Sequence, residues 1–426
     1  MNREMNAELC WIKQGERIDC VVRPIPRDIT IGSMPMVARF RGDGLTVPIR
    51  TEAIRETVIY RCPTTLTVTD EEAMLGEVYA ILAGEGHDGF TGARLNFRDI
   101  IETAKQERVF IYVIPTPHVS ELGPWQGYVR LGYKRWQRIP CPKPEAVYNR
   151  IPTRALEHRQ SATRARRTLQ KLEIPVFNPA YFSKSRIYEI ITENGLTSYL
   201  PETAGQLEQS TFLSILQRHG AVYLKPSGGS VGHGMLRVEA SKGSCWLVHV
   251  LKHGRTTHHT CANLQEVWNT VNRERVPGRY VVQQAIPLLE YGGNPCDFRV
   301  LLQKQNNTWH MVGRGVRVSG DGTITTHVPN GGSIANADAV LVQAFGTAAG
   351  RVQSELEQFV VQAAEAIDSA NDGELGEMSM DIGIDRKGHP WFFEANAKPM
   401  KFDEPDIRRK SLRGIIGQLR ERARST

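Results

Sequence analysis

Hydrophobic and polar residues alternate over short stretches in the first 70 residues, and glycine or proline separates one stretch from the next. Alternation with a period of two is typical of β-strands. It predicts strands at residues 18–22, 35–40, 45–49 and 57–60. We therefore expect residues 1–70 to form a small β module.

The pattern changes near residue 75 to continuous apolar runs separated by a helical repeat. Residues 78–82 and 108–115 have the apolar character of buried parallel strands. Between them, residues 97–107 place Ile100, Ile101 and Ala104 on one face of a helix. This strand–helix–strand order predicts a Rossmann-like unit over residues 71–155. It lacks the G-x-G-x-x-G fingerprint, so dinucleotide binding is not expected there.

The remaining chain mixes helices, strands and glycine loops. Helices are predicted at residues 210–219, 263–275 and 339–370, the last of them broken near Gly346 or Gly350. Strands are predicted at 221–225, 280–284, 296–303 and 310–319, and a hairpin at 376–385 and 390–397. The predicted fold class is therefore α/β, with α+β character in its C-terminal part.

Composition narrows the class of protein. A chain of 426 residues is too long for one ordinary core, and 40% hydrophobic with 23% charged residues is typical of globular proteins. No apolar run is long enough to cross a membrane, and the charged first twenty residues predict no secretory signal. Seven scattered cysteines without a CxxC pair favour a cytoplasmic protein with free thiols.

The net charge of +7 comes with arginine-rich segments at residues 159–171 and 408–424. Such charge is compatible with nucleic-acid binding. No zinc finger, aromatic-rich basic stripe or RNA-binding signature accompanies it, so a nucleic-acid partner is not expected.

A glycine-rich loop after a lysine carries the first sign of chemistry. Lys225 ends a predicted strand, and the loop that follows contains Ser227, Gly228, Gly229, Ser230, Gly232 and Gly234. Glycine lets backbone N–H groups turn toward a phosphate, and lysine adds a positive charge. The order differs from a Walker A loop, in which the lysine follows the glycines.

The predicted C-terminal hairpin brings acidic residues together. Alternation puts Glu394 and Asn396 on one face, with Phe393 and Ala395 on the other. A turn that pairs Asp385 with Pro390 would place Asp381 opposite Glu394. Two opposed carboxylates and an amide favour a Mg²⁺ site.

Two further strands carry arginines. Asp297 and Arg299 share a face at positions i and i+2, which is also compatible with a local salt bridge. Arg314 and Arg317 lie on the next strand, and arginine is suited to bidentate contact with phosphate or carboxylate groups.

The order of these motifs resembles the ATP-grasp superfamily, and more closely the YheC/YheD-type ATP-grasp proteins described as endospore coat-associated. The resemblance covers roughly residues 75–401, and residues 147–152 with Arg154, and 394–399, resemble that family's motifs. It implies a pre-ATP-grasp domain at 71–155 and an ATP-grasp domain at 156–426, whose two subdomains clasp ATP.

The resemblance also implies roles. Lys184 and Lys225 would contact the nucleotide, and the loop from Ser227 to Gly234 would cover its β- and γ-phosphates. Adenine would contact the backbone of Gln283, Gln284, Ala285 and Ile286, and the ribose would contact Glu290. One or two Mg²⁺ ions would be bound by Asp381, Glu394 and Asn396. The transferred phosphoryl group would be held by Arg299 and either Arg314 or Arg317.

The activity implied is a Mg–ATP-dependent ligase that joins a small-molecule or peptide carboxylate to an amine through an acyl phosphate. The alternatives are an ATP-dependent phosphotransferase and a spore-coat-associated nucleotide binder without turnover. Related ligases carry asparagine four residues before a Gly-Gly pair, where this chain has His327, with Asn330 before Gly331. This departure bears on the substrate side. The substrate and a homo-oligomeric state remain open.

Overall fold

The structure is a computed structural model that describes residues 3–25, 35–42, 44–227, 233–241, 245–320, 324 and 332–425. Over this part of the chain it contains four β-sheets, which follow one another in sequence order. The predicted residues Gly228, Gly229, Ser230 and Gly232 of the glycine loop, and His327, Asn330 and Gly331, lie outside the described residues.

The first sheet is formed by the N-terminal residues and extends to Leu75, beyond the predicted end of the β module. Its strand order is β2-β1-β5-β6-β3-β4. The strands are β1 (Arg3–Gln14), β2 (Arg17–Ile25), β3 (Val37–Arg39), β4 (Thr46–Pro48), β5 (Thr57–Val68) and β6 (Ala73–Leu75). The long strand β1 was not predicted. Its Trp11 packs on Phe110 of the next sheet, with ring centres 4.7 Å apart, so the two sheets share a core.

The second sheet confirms the predicted strand–helix–strand unit. Its order is β11-β10-β9-β7-β12-β13, in which β9, β7, β12 and β13 are parallel to one another and β10 is antiparallel to β9. The elements are β7 (Val78–Gly86), β8 (Gly89–Thr91), α1 (Arg94–Gln106), β9 (Phe110–Pro115), β10 (Trp125–Gly132), β11 (Arg135–Cys141), β12 (Ala146–Asn149), α2 (Arg154–Glu157), α3 (Gln160–Lys171) and β13 (Val176–Phe177).

The hairpin β10–β11 was not predicted. Pro140 lies in β11, which is the edge strand of this sheet. An edge position tolerates proline, since one side of the strand has no partner to receive its missing N–H.

The third sheet is antiparallel and has the order β14-β19-β15-β16-β17-β18. Its elements, with the helix before them, are α4 (Lys184–Glu193), β14 (Thr203–Ala204), α5 (Gln209–His219), β15 (Ala221–Pro226), β16 (Met235–Ala240), β17 (Trp246–Lys252), β18 (Arg255–Cys261), α6 (Leu264–Glu274) and β19 (Tyr280–Gln284). Phe212 of α5 and Val267 of α6 pack on the buried face of the sheet, beside Val222 and Leu224.

The fourth sheet has the order β23-β22-β21-β24-β25 and packs one face on helices. Its elements are β20 (Glu290–Tyr291), β21 (Asn294–Gln305), β22 (Thr308–Val318), β23 (Ser333–Ala335), α7 (Ala337–Phe345), α8 (Ala349–Ser369), β24 (Glu377–Ile384) and β25 (Pro390–Asn396). The predicted helix break is confirmed at Gly346, whose φ of +53° suits glycine.

The last helix, α9 (Pro405–Arg424), returns to the second sheet. Ile415, Ile416 and Leu419 lie in one core with Tyr79 and Ile81 of β7. The C-terminal end of the chain therefore packs against its N-terminal half. Among the helices that the structure describes, none is long and apolar enough to cross a membrane.

We expect Ile416→Ala to lower the free energy of unfolding by about 2–4 kcal/mol, because it empties a fully buried site between α9 and the second sheet. Urea unfolding measures the change. The matched control is Arg413→Ala on the exposed side of the same helix, which should change the free energy by less than about 0.5 kcal/mol. Equal effects of the two substitutions would contradict the packing of α9.

Candidate functional site

A partly buried lysine lies on the polar face of the third sheet. Lys225 lies at the end of β15, and the register of β15 with β19 puts it on the same face as Gln283. Its Nζ donates to Gln283 Oε1 at 2.5 Å, while Gln283 Nε2 donates to Tyr188 Oη at 2.9 Å and Thr203 Oγ1 at 3.0 Å. Burial, with the nearby charge of Lys184 acting in the same direction, lowers the pKa of Lys225 to about 8. The lysine is thus held, desolvated, by a neutral partner.

The fourth sheet carries an arginine between two aspartates. Strand register places Asp297 on β21 opposite Arg317 on β22. Arg317 donates from Nε and Nη2 to the two oxygens of Asp297, at 2.9 and 2.7 Å, and its Nη2 lies 2.9 Å from Asp381 Oδ2 on β24. Burial lowers the pKa of Arg317, but its bonds to Asp297 more than offset this, so that the net pKa is raised.

Asp381 retains an unsatisfied oxygen. Within the described structure its Oδ1 is buried without a hydrogen-bond partner. Burial raises the pKa of Asp381 to about 6, although the positive charge of Arg317 opposes the shift. A buried carboxylate oxygen without a donor is costly, and a bound cation would remove that cost.

Glu394 completes the group. It pairs with Asp381 across β24 and β25, and its Oε2 lies 2.9 Å from Lys184 Nζ at the start of α4. We call Asp297, Arg317, Asp381, Glu394 and Lys184 the charged cluster. The charges of Glu394 and Asp297 also act on Lys225, so the cluster and the buried lysine face the same space.

A β-bulge sets the register of the hairpin. Ile384, not Asp385, pairs with Pro390, so the predicted turn was wrong by one residue. The bulge between Asp381 and Ile382 leaves Phe393 unpaired and restores the predicted pairing of Asp381 with Glu394.

The extra residue in the bulge also changes which side chains share a face. A Cβ on Gly383 would lie 2.5 Å from Phe393 Cζ, and the Phe393 ring centre lies 5.8 Å from Lys225 Nζ. Phe393 therefore faces the site, and the prediction that it lies with Ala395 on the face opposite Glu394 was wrong. Ala395 does lie in the core.

The donors present fit a magnesium ion that completes its shell with phosphates. Asn396 pairs with Ser379, two positions along from the Asp381–Glu394 pair, so its amide is on the face of the two carboxylates. Across the described ranges, no three His, Cys, Asp or Glu side chains group as a metal site. Two carboxylates and an amide match the way Mg²⁺ is bound together with substrate phosphates.

Comparison with known proteins adds a family to this geometry. The family model for "YheC/D like ATP-grasp" proteins matches residues 173–423, which include the whole charged cluster. The chain belongs to the YheC/D-like ATP-grasp family. Its fold is accordingly the ATP-grasp fold, as the motif order indicated.

Two curated relatives from Bacillus subtilis (strain 168) share the family. The endospore coat-associated protein YheD is 26% identical over 64% of this chain and 61% of the relative. The endospore coat-associated protein YheC is 22% identical over 50% of this chain and 58% of the relative. The matches thus span about three fifths of each relative's length.

Among solved structures, the D-alanine–D-alanine ligase from Coxiella burnetii is similar to this chain, with a TM-score of 0.45 and 12% identity, and covers 82% of this chain and 97% of the ligase. Similarity of that degree carries no functional assignment, and the fold rests on the family match.

The two ends of the family's glycine loop are described. Ser227 donates its N–H to Arg279 O at 2.9 Å, and Gly234 donates to Leu251 O at 2.8 Å. Gly234 has φ +77°, and a Cβ there would lie 2.7 Å from Val276 Cγ2, so a side chain is excluded. The loop is therefore fixed to the third sheet at both ends, next to Lys225.

The hinge expected in an ATP-grasp protein is partly engaged within the fold. Gln284 donates its N–H to Glu202 O at 2.8 Å, and Ala285 donates to Ala221 O at 3.1 Å. Two of the four backbone N–H groups expected at adenine are thus occupied. Glu290 Oε1 accepts from Arg386 Nη2 at 2.6 Å, at the turn of the β24–β25 hairpin, so its ribose contact stays a prediction.

The structure separates the two candidate arginines of β22. Arg314 pairs with Val300, which lies in the core between the fourth sheet and its helices. The guanidinium of Arg314 forms an ion pair with Asp338 of α7. It thus lies on the opposite face from Arg317, and the structure does not bring Arg314 into the cluster. Arg299 is on the cluster face, where Nη2 donates to Met400 O at 3.3 Å and the guanidinium lies 4.9 Å from the Phe402 ring centre.

Three side chains near the site were not predicted to contribute to it. A local salt bridge with Arg299 was one interpretation of Asp297, but its carboxylate accepts from Arg317 instead. The residue directly opposite on a paired strand lies closer than the residue two positions along the same strand. Gln283 was predicted for its backbone but contributes its side chain. The carboxylate of Glu404 lies against Gly315, opposite Arg299, and no sequence spacing signalled it.

The raised pKa of Asp381 predicts a pH dependence of stability without nucleotide. Between its ordinary pKa of 3.8 and about 6, the folded state holds a proton that the unfolded state has lost, so stability falls as pH rises. Asp381→Asn should therefore make the decline in unfolding free energy from pH 4 to pH 7 shallower, by about 1–3 kcal/mol. Urea unfolding in EDTA measures it, and parallel curves for the two proteins would contradict it.

Proposed function

We propose that the chain is a Mg–ATP-dependent ligase that activates a carboxylate as an acyl phosphate and transfers the acyl group to an amine. The observation that carries the proposal is Arg317, fixed by Asp297 and Asp381 on a face shared with Glu394 and Lys184. Such an arrangement suits the stabilisation of phosphoryl charge at a fixed position.

The polyphosphate would lie between the third and fourth sheets. Lys225 and Lys184 would contact its phosphates, and the loop between Ser227 and Gly234 would cover them. A triphosphate would also replace the solvation that Lys225 has lost, which favours its charged form. With two hinge N–H groups occupied, adenine recognition would fall to Ile286 N–H and to hinge carbonyls.

Asp381, Glu394 and Asn396 would hold Mg²⁺, one ion or two. The metal, when bound, would neutralise charge on the β- and γ-phosphates. Asp381 Oδ1, which lacks a donor, is the oxygen best placed to serve as a ligand. The Lys184–Glu394 ion pair would have to rearrange, because Glu394 would then share its negative charge between Lys184 and the metal ion.

The proposed reaction has two steps. A carboxylate oxygen of the substrate attacks the γ-phosphorus, the bond to the β–γ bridging oxygen breaks, and ADP leaves. An amine nitrogen then attacks the acyl carbon, the bond to the phosphate oxygen breaks, and inorganic phosphate leaves while the amine gives up a proton. Arg317 and Arg299 would steady the phosphoryl group, so positioning and electrostatics supply the catalysis.

The names of the two relatives favour a second candidate function. YheD and YheC are called endospore coat-associated, which suggests a nucleotide-binding coat component without turnover. A phosphotransferase is the other alternative, and its stable phosphorylated product separates it from a ligase, which releases free phosphate.

Nucleotide binding is tested by the thermal melting midpoint with and without Mg–ATP. At ~100 times the dissociation constant, binding should add about 2.7 kcal/mol to stability. Lys225→Met should abolish most of the rise, because it removes the buried charge at the phosphates. The control Lys252→Met removes a lysine of the same sheet that pairs with Glu274, and should leave the rise intact. If the melting midpoint does not rise at millimolar Mg–ATP, the proposal is wrong.

Turnover is tested by ADP and phosphate release with a panel of amino acids and short peptides, and hydroxylamine as a trap for the acyl phosphate. Glu394→Gln should reduce kcat by about 100-fold or more, because it removes a metal ligand and the partner of Lys184. The matched control Asp338→Asn, on the far face of the sheet, should keep kcat within about threefold. Full activity of Glu394→Gln would exclude the metal assignment. Binding without turnover on any substrate would favour the coat-component alternative.

A further inference from the structure

A pocket outside the charged cluster is lined by both charged and apolar residues. It has a volume of about 270 Å³ and opens between α2, α3 and residues 179–181. Arg154, His158, Arg166 and Tyr181 line it, and Glu157 lies buried at its base. None of these side chains has a role in the proposed reaction.

Two guanidinium groups of the pocket are oriented without being neutralised. Arg154 Nη2 donates to Phe182 O at 2.6 Å, and Arg166 Nη2 donates to Glu157 O at 3.1 Å. Both acceptors are neutral backbone carbonyls. Over the residues that the structure describes, neither guanidinium lies within 4.0 Å of a carboxylate. Each arginine thus keeps its full charge and has further N–H groups to donate.

The carboxylate of Glu157, the acid that lines the pocket, already has partners within the fold. Glu157 Oε1 forms a buried ion pair with Lys398 Nζ and accepts from Asn149 Nδ2 at 3.2 Å, while its Oε2 accepts from Tyr181 N at 3.2 Å. Burial lowers the pKa of Lys398 to about 8, and Arg166 acts in the same direction. Since Lys398 and Glu157 cancel, the two arginines leave the pocket with a net positive charge.

We propose that this pocket binds an oxyanion, a carboxylate or a phosphate group, carried by the ligase substrate at a position remote from its reacting carboxylate. Two guanidinium groups held in fixed orientations are suited to bind such a group by paired hydrogen bonds. The oxyanion site itself stands on the pocket geometry, and only its assignment to the substrate rests on the proposed function.

The location supports that assignment. Phe182, whose carbonyl holds Arg154, precedes Lys184 of the charged cluster by two residues, and Lys398 follows Asn396 by two. Two residues of extended chain span roughly 7 Å. The pocket lining and the charged cluster are therefore connected by two short stretches of the chain, which favours one substrate that contacts both.

The experiment follows the thermal melting midpoint of the full chain against inorganic phosphate and, separately, succinate, with ionic strength held constant by sodium chloride. We expect a saturable rise with at least one probe. The double variant Arg154→Gln/Arg166→Gln should weaken the apparent affinity at least tenfold. Arg164→Gln/Arg167→Gln, which removes two exposed charges from α3 outside the pocket, should leave it unchanged.

Preference for phosphate identifies a phosphate ester as the source of the oxyanion, and preference for succinate identifies a carboxylate. Equal loss in both double variants, or a rise that never saturates, overturns the proposal, because general surface charge would then explain the effect. The rise with Mg–ATP is measured on each variant. Its retention in Arg154→Gln/Arg166→Gln shows a folded protein, so failure here is distinct from failure of nucleotide binding.

Arg166→Lys keeps the charge but removes the planar fork. It should fall between the wild type and Arg166→Gln in affinity for the preferred probe. If the double variant does not fold, Arg166→Lys and Arg166→Gln are tested instead. The proposal is overturned if both single variants bind the preferred probe as tightly as the wild type.

Discussion

The pairing of Arg317 with Asp297 and Asp381 is the interaction on which the rest of the site depends. It joins three neighbouring strands of one sheet through a largely buried guanidinium, with three contacts of 2.7–2.9 Å. Buried charge is costly, and such a group persists only when its donors are satisfied in good geometry. The two aspartates supply that geometry, and one carboxylate oxygen of Asp381 has no donor among the residues that the structure describes.

The site is therefore electrostatically incomplete without a ligand. Burial disfavours the charged form of both Lys225 and Asp381, lowering the pKa of the first to about 8 and raising that of the second to about 6. A polyanion would favour the charged lysine, and a cation would favour the charged aspartate. A metal–polyphosphate complex bound between the third and fourth sheets, as proposed, would favour the charged forms of both groups.

A second polar network holds the C-terminal hairpin against the N-terminal half. Asn178 Nδ2 donates to Glu377 O at 2.7 Å, and its Oδ1 accepts from Gly376 N at 2.8 Å. Tyr148 bonds the Glu377 carboxylate, and Arg150 donates to Pro399 O at 3.0 Å. Together with α9, these bonds position the strand that carries Glu394 and Asn396 relative to α2 and α3, and thus relative to the pocket of Arg154 and Arg166.

The sequence by itself determined the family, the types of most elements around the site and the candidate side chains for the chemistry. Apolar runs fixed the parallel strands, and the strand–lysine–glycine order with the acidic hairpin identified the ATP-grasp motif, because these signals are local in the chain. Only the tertiary structure decided which of these residues meet. A β-bulge turned Phe393 toward the site. The strand register paired Asp297 with Arg317 rather than with Arg299, and the same register placed Arg314 on the opposite face of the sheet. The edge strand β11, the return of α9 and the approach of Glu404 to Gly315 likewise depend on contacts between distant residues, which no local pattern records.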